Sequence, residues 1–406
     1  MPAARPHGKK IDFPPGLSDN KLLLCISNAE SGSPGGEGAE MTKKNGKIEF
    51  YRFLFCIYVL LFHAQKEFIG EPEYTNASLG LFPHGSIGVE FFFIVSGFFL
   101  ARSAFSRRKA LGNEPLCSRA GSADTIRFML RKYLRIFPEH MVAFLLITVL
   151  HLVCTRMRPG ATVLFLLRSV FSFFLVQMSG LLQQDVFPIE WYLSCMLIAM
   201  AVLYPLCRRF YFGFTRVAAP LASLMIYGWL CHETAALTNV LTWMGIGYKS
   251  LFRAFAGLML GAAAFEAARI LSARELSRGA RRLLHSAEIL SFVFTTLFAL
   301  TRLPKIYEYQ AACALFLLVV CVGSEAYKSA AFFDSRLVSR LGALSFAVYL
   351  SQGAAINLVH HFWKAAAVNT QIMIYLVLCL AFTLFIHAAG GWLDRKVFRR
   401  ISEAAA

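Results

Sequence analysis

The stretch FYRFLFCIYVLLFHAQKE, residues 50–67, decides the fold class. It is an apolar run long enough to cross the ~30 Å hydrocarbon core of a bilayer as an α-helix. Arg52 stands near its start and His63 near its end, eleven positions later. At about 100° and 1.5 Å per residue, both side chains fall on nearly the same helix face, roughly 16 Å apart. Because polar groups inside a membrane are costly, we expect this face to look into a polar interior.

Composition places the chain among polytopic α-helical membrane proteins. Of its 406 residues, 57% are hydrophobic and only 16% are charged, whereas roughly a quarter of the residues in a soluble domain are charged. We therefore predict an all-α protein that lies in a lipid bilayer. Eleven apolar segments can be distinguished, at residues 50–67, 84–103, 138–155, 161–183, 189–207, 216–231, 250–268, 287–302, 309–325, 341–361 and 370–392.

The basic residues indicate how many of these segments cross. Loops rich in Lys and Arg stay in the cytoplasm; the loop 68–83 has neither residue, whereas the loop 104–137 has many. If all eleven segments crossed, the basic loop 269–282 would lie outside. Segment 161–183 carries Arg168 in its middle, and non-crossing backbone is tolerated at membrane depth where protein buries it. We predict about ten transmembrane helices plus one re-entrant or interfacial segment, with both termini cytoplasmic.

The predicted organisation has three parts. Residues 1–47 are rich in Gly, Pro, Ser and Lys, a composition typical of a disordered tail, here a cytoplasmic one. Residues 48–395 form the transmembrane domain, and residues 396–406 form a short cytoplasmic C-terminal tail. Met41 stands just ahead of the first helix, so one hypothesis is that residues 1–40 are an extension upstream of the native start.

Charge and cysteine usage exclude several classes of function. The net charge of +17 does not predict a nucleic-acid partner, because the basic residues cluster in short loops between apolar segments, as topology requires. The ten cysteines include no CxxC pair, and no group of His, Cys, Asp or Glu has the spacing of metal ligands. We expect neither a disulfide framework nor a metal site.

His63 and Glu90 are the candidate acid–base pair. His63 lies deep in a helix that enters from the cytoplasm, and Glu90 lies a turn or two into the next helix, which enters from outside, so the two are at similar depth. A carboxylate beside the imidazole would hold one tautomer and leave the other nitrogen free to act as a general base. The alternative is two unrelated side chains near the membrane surface.

Basic residues at the cytoplasmic level form the candidate phosphate-binding site. Arg131 and Arg135 open the third helix and share one face, because they are four residues apart. Arg52 begins the first helix at the same level, and Arg127 and Lys132 are further candidates. Converging cations of this kind suit a polyphosphate that arrives from the cytoplasm. The alternative for Arg52 is a simple topology anchor.

Two further motifs concern the second helix and the helix after the non-crossing segment. Ser96-Gly97 is a small pair among phenylalanines, which favours close helix packing, with a narrow passage for an acyl chain as the alternative. Glu190, Trp191 and Tyr192 open a helix at the outer face. Aromatic residues there belong to the interfacial belt by default. Glu190 is nevertheless a candidate contact for a substrate hydroxyl.

Several of these motifs, taken in order, resemble the acyltransferase 3 family of integral membrane acyltransferases. The resemblance extends from about Lys47 to the end of the chain. It rests on Arg52-x10-His63 in the first helix and on the motifs GSIGVEFFFIVSGFFLARS, RKYLRIFP, EWYLSCMLIAMAVLYPL and LSFAVYLSQGAAI that follow.

The resemblance implies a ten-helix core and transfer of an acyl group, commonly acetyl, from cytoplasmic acyl-CoA to a hydroxyl. In that family the histidine that matches His63 is taken as catalytic and the arginine that matches Arg52 as essential. Two positions depart from the usual pattern. Glu90 stands where relatives more often have aspartate, and Gln352 stands where they usually have histidine. Gln352 can only form hydrogen bonds, so we count it with Glu190, Trp191 and Tyr192 as a candidate substrate-binding residue.

The predicted function is therefore O-acyl transfer from acyl-CoA, most simply acetyl-CoA, to an extracytoplasmic carbohydrate such as a cell-surface polysaccharide or glycolipid. The expected location is a bacterial inner membrane. One alternative is a non-catalytic transporter or flippase of a lipid-linked sugar. Another keeps the chemistry but has a lipid or a small metabolite as the acceptor.

Overall fold

The computed structural model describes residues 45–71, 73–74, 78–111, 115–116, 118–181, 188–327 and 329–398. The helices in these ranges belong to one compact unit that begins at Asn45. Nearly all of the predicted N-terminal tail, up to residue 44, lies outside the described residues, as does the C-terminal tail from residue 399.

Eleven α-helices of at least fifteen residues make up the described part of the chain. A short turn of α-helix and a π-helix, together Tyr211–Ala218, lead directly into the sixth. The helices are α1 Gly46–Ala64, α2 Gly88–Leu111, α3 Arg119–Thr155, α4 Pro159–Phe173, α5 Trp191–Arg209, α6 Ala219–Thr234, α7 Lys249–Ser272, α8 Arg278–Leu300, α9 Glu308–Ser324, α10 Arg336–Phe362 and α11 Val368–Leu393.

The prediction of ten membrane-crossing helices is confirmed. Ten helices among the described residues are long and apolar enough to cross a bilayer, when each is taken with the turns that continue it. These are all of the helices except α4. Helix α4 has fifteen residues and therefore spans only about 22 Å, short of a hydrocarbon core of ~30 Å. The segment that the basic residues singled out is thus the one that is too short.

Polar side chains mark where several helices begin. The side chain of Asn45 accepts hydrogen bonds from the backbone N–H groups of Lys47 and Ile48 at the start of α1. Ser118 caps α3 and Ser335 caps α10 in the same way. Such caps satisfy N–H groups that have no partner within the helix.

Helices α2 and α7 approach closely because glycine lies between them. A Cβ atom on Gly97 would lie only 2.0 Å from the carbonyl oxygen of Leu258, so no larger residue fits without separating the helices. The prediction that Ser96-Gly97 serves helix packing is confirmed. This contact fixes which face of α2 is turned toward α7.

Helices α1 and α10 pack in parallel. Cys56 Sγ donates a hydrogen bond to the Ser345 carbonyl at 3.0 Å, and His63 contacts Gln352, so the contacts advance by seven residues on both helices. If ten helices cross, α1 is the first span and α10 the ninth, and both run in the same direction. A further crossing at α4 would make them antiparallel, so the register agrees with a non-crossing α4.

Candidate functional site

The His63 imidazole makes its hydrogen bond to α10. Its Nδ1 atom lies 2.5 Å from Gln352 Oε1, and Gln352 is fully buried. The other end of the Gln352 amide is also engaged, because its Nε2 donates to the Val348 carbonyl at 3.2 Å. His63 is half-buried. The His63 side chain of α1 is therefore turned toward α10.

The prediction that Glu90 is the partner of His63 is wrong. Glu90 is fully buried and accepts hydrogen bonds from Arg253 Nε and from the Tyr227 hydroxyl at 2.8 Å. Matching depth on consecutive helices does not decide which way a side chain faces. The close packing of α2 on α7 turns Glu90 toward α7, where Arg253 supplies the counter-charge.

Arg253 is the centre of a buried network that was not predicted from the sequence. Besides Glu90, its guanidinium donates to the carbonyls of Leu237, at 3.0 Å, and Ser86, at 3.3 Å, and it lies 5.4 Å from the centre of the Trp191 ring. The network joins helices α2 and α7 to the segments that precede each of them. An arginine one turn inside an apolar segment was the available signal, since such a charge requires a partner within the protein.

Arg52 lies among residues of three helices. Its Nη1 atom pairs with Glu49 on the same helix at 3.1 Å. The Arg52 charge also acts on Lys132 of α3 and on Tyr192 of α5. The N-terminal end of α1 is therefore close to the predicted basic cluster on α3.

The basic cluster on α3 consists of Arg127, Arg131, Lys132 and Arg135. The charges of Arg131 and Arg135 act on Lys132 together with that of Arg52, and Arg131 and Arg135 are exposed. Within the described residues, no salt bridge ties any of these four cations to a carboxylate; the nearby acidic groups Glu49 and Asp124 pair with other cations.

Glu190 faces a second histidine. Its Oε2 atom lies 3.4 Å from Nδ1 of His140, and both side chains are buried. His140 Nε2 lies 3.1 Å from the carbonyl oxygen of Phe173 at the end of α4, so His140 joins the non-crossing helix to the start of α5. His140 was not among the residues predicted for the site; its position two residues after Pro138 inside an apolar segment was the available signal.

Trp191 and Tyr192 point into the bundle rather than forming an aromatic belt. The Tyr192 hydroxyl lies 3.3 Å from Ser96 Oγ, and its ring is 6.1 Å from that of Tyr349. Tyr349 in turn donates to the Ile189 carbonyl. Tyr349 precedes Gln352 by one helical turn, so the start of α5 and the His63 contact are both adjacent to the same turn of α10.

A cavity of about 410 Å³ lies away from all of these candidates. It is bounded by α3 and α5, and none of the residues predicted as catalytic, donor-binding or substrate-binding lines it. Its lining consists of Leu116, Ser122, Thr125, Ile126, Val202, Pro205 and Leu206.

A profile described as an acyltransferase domain, that of the acyltransferase 3 family, matches residues 45–389. The chain belongs to the acyltransferase 3 family. The matched region includes every candidate site residue, from Arg52 to Gln352, and it implies that the protein is a membrane O-acyltransferase. No curated protein and no solved structure matches the chain. Within this acyltransferase 3 protein, the polar contacts around α1 and α10 are the candidate site for acyl transfer.

Proposed function

We propose that this acyltransferase 3 protein transfers an acyl group, most simply acetyl, from acyl-CoA on the cytoplasmic side to a hydroxyl of an extracytoplasmic carbohydrate. The supporting observation is that one face of α1 connects two sites. Arg52 at one end lies near cations that form no salt bridge with a carboxylate in the described part of the chain, and His63 at the other end is held by Gln352. A surface polysaccharide or a glycolipid is the proposed acceptor.

The donor would bind with its phosphates on the α3 cluster. Arginine forms bidentate, charge-assisted hydrogen bonds to phosphate oxygens, and Arg131 and Arg135 share one face of the helix. Arg52 and His63 are separated by about 16 Å along the helix axis. A donor held by its phosphates at Arg52 would therefore extend its thioester arm along α1 toward the imidazole.

His63 would act as the general base. Its free ring nitrogen takes the proton from the acceptor hydroxyl while the hydroxyl oxygen attacks the thioester carbonyl. The carbon–sulfur bond then breaks, the acyl group remains on the acceptor oxygen, and the thiolate of CoA takes the proton from His63. The products are the acylated acceptor and free CoA, and the reaction needs no further reactant.

The proposed setting follows from topology. Ten crossings would put both termini on the same side of the bilayer, and the basic loop 269–282 favours the cytoplasm for that side. The N-terminal tail to residue 47 and the tail from residue 396 would be cytoplasmic, with residues 48–395 as the catalytic domain. We assign the protein to a bacterial inner membrane.

The decisive experiment compares envelope glycans from cells that express the wild-type protein and the variant His63→Ala. Mass spectrometry should show one acyl substituent on the glycan with the wild-type protein and none with the variant, at equal protein levels in the membrane. Full modification in the variant would refute the catalytic role of His63. Substrate movement that is independent of acyl-CoA would instead favour the transporter alternative.

A second test addresses the donor site. The variant Arg131→Gln/Arg135→Gln should raise the KM for acyl-CoA by about tenfold or more, since each hydrogen bond to a charged group contributes roughly 1.5–3 kcal/mol, and should leave kcat almost unchanged. Arg282→Gln is the matched control, because Arg282 is an exposed cation of α8. An unchanged KM in the double variant would remove the phosphate-binding assignment.

A further inference from the structure

We propose that Gln352 is the positioning residue of His63: it fixes the imidazole in the tautomer that carries hydrogen on Nδ1 and leaves Nε2 as the base. The inference rests on the proposed function and names the atom that performs the proton transfer. It also replaces the carboxylate that the sequence predicted as the partner of His63 with a neutral amide.

The orientation of the amide determines the tautomer. The Val348 carbonyl can only accept a hydrogen bond, so the group of Gln352 that lies 3.2 Å from it is the NH₂. The carbonyl oxygen of the amide therefore faces His63, 2.5 Å from Nδ1. An amide oxygen also only accepts, so Nδ1 carries the hydrogen. In a neutral imidazole the other nitrogen, Nε2, then holds the lone pair.

The packing around α10 leaves the Gln352 side chain little freedom to adopt another orientation. Its side chain is fully buried, as is that of the preceding residue Ser351, to which Thr383 of α11 donates a hydrogen bond at 3.3 Å. One heptad earlier, the bond from Cys56 to Ser345 holds the same two helices in register. The contact between His63 and Gln352 is therefore set by two helices rather than by one mobile side chain.

No charged side chain among the described residues is hydrogen-bonded to His63. The charged groups that act on it within that part of the chain are Lys66 and Glu67, which follow His63 in the sequence. They carry opposite charges, and Glu67 lies 3.6 Å from His360 of α10. Glu90 is bound to Arg253. The hydrogen bond at Nδ1 thus orients the ring through a neutral amide, and Nε2 is the nitrogen left to accept a proton.

Two substitutions of Gln352 separate positioning from packing. Gln352→Met keeps the side-chain volume but removes the acceptor, and should lower kcat by about 10–100-fold while the KM for acyl-CoA stays unchanged. Gln352→Glu restores a carboxylate. It should move the acid limb of the pH profile of kcat/KM to higher pH by about one unit or more, because an adjacent negative charge stabilises the imidazolium. Ser351→Ala is the matched control, equally buried on the same helix turn.

Wild-type kcat in Gln352→Met, or an unmoved acid limb in Gln352→Glu, would overturn the proposal. A readout that does not depend on activity is the ¹⁵N NMR spectrum of histidine-labelled protein, in which His63→Ala identifies the His63 signals. The wild-type protein should show the Nδ1–H tautomer and Gln352→Met a mixture; the Nε2–H tautomer in the wild type would refute the assignment. If transfer from acyl-CoA is absent but the tautomer is as stated, the proposed function fails and the positioning contact stands.

Discussion

Replacing Arg253 tests whether Glu90 holds the fold together rather than serving the reaction. Arg253 and Glu90 are both almost completely buried, and Arg253 also donates to the carbonyls of Leu237 and Ser86. In the variant Arg253→Met the Glu90 carboxylate would keep, among the described residues, only the hydroxyl of Tyr227 as a side-chain donor. We expect a large loss of folding stability, because an uncompensated charge is then left inside the bundle.

The magnitude follows from the number of partners lost. Breaking a buried ion pair by removing one member typically costs about 3–5 kcal/mol, which is roughly two to three and a half orders of magnitude in the folding equilibrium. Glu90→Gln alone should cost less, because the amide oxygen still accepts from Arg253. In the double variant the two losses should not add, and the coupling free energy should be about 1–3 kcal/mol.

The assay is equilibrium unfolding of the purified protein in detergent, carried out for the wild type, both single variants and the double variant. His63→Ala should unfold close to the wild type, since a half-buried residue with one hydrogen bond contributes about 1 kcal/mol. A loss below about 1 kcal/mol in Arg253→Met would refute this account. So would a Glu90→Gln variant that is fully stable but inactive, since that result would restore Glu90 to the reaction.

Three further outcomes follow from other contacts. Gly97→Val should greatly reduce folded protein in the membrane, because its Cβ would lie 2.0 Å from a carbonyl oxygen of α7. Glu190→Leu should cost about 1–3 kcal/mol by removing the carboxylate that lies 3.4 Å from Nδ1 of the buried His140, whereas Glu190→Gln should cost less than half as much. Burial, and then the adjacent Glu288, raise the pKa of Tyr327. Its contribution to stability should thus be complete below about pH 10 and lost as pH rises above that value, and Tyr327→Phe should reduce this alkaline loss.

Each of these outcomes has its own control. For Gly97 it is Gly228→Val, because a Cβ atom there meets nothing within 4 Å; equal expression of both valine variants would contradict the packing argument. Western blots of membrane fractions measure the first pair, and detergent unfolding curves the other two. A Glu190→Gln variant as unstable as Glu190→Leu would show that the negative charge itself is needed. Identical alkaline unfolding of Tyr327→Phe and wild type would contradict the third prediction.

Much of the fold could be predicted from the order of the residues alone. A bilayer requires every backbone polar group to be satisfied within a helix of about 20 residues, so apolar length indicates the spans directly. Basic loops add a predicted orientation, and apolar length and loop charge together distinguished the ten long helices from the fifteen-residue α4. The basic cluster on α3 was predictable for a similar reason, because helical spacing puts Arg131 and Arg135 on one face.

The partners of individual polar residues could not be predicted in this way. Depth can be calculated from the rise of 1.5 Å per residue, and it places His63 and Glu90 at similar levels. The direction in which each side chain points depends on how the helices rotate against each other, and close contacts such as that of Gly97 with α7 set this rotation. The chain by itself therefore determined the class, the spans and the residues that carry charge. Only the packed bundle decided that Gln352 faces His63 and that Arg253 faces Glu90, because contacts between distant segments fix the rotation of each helix.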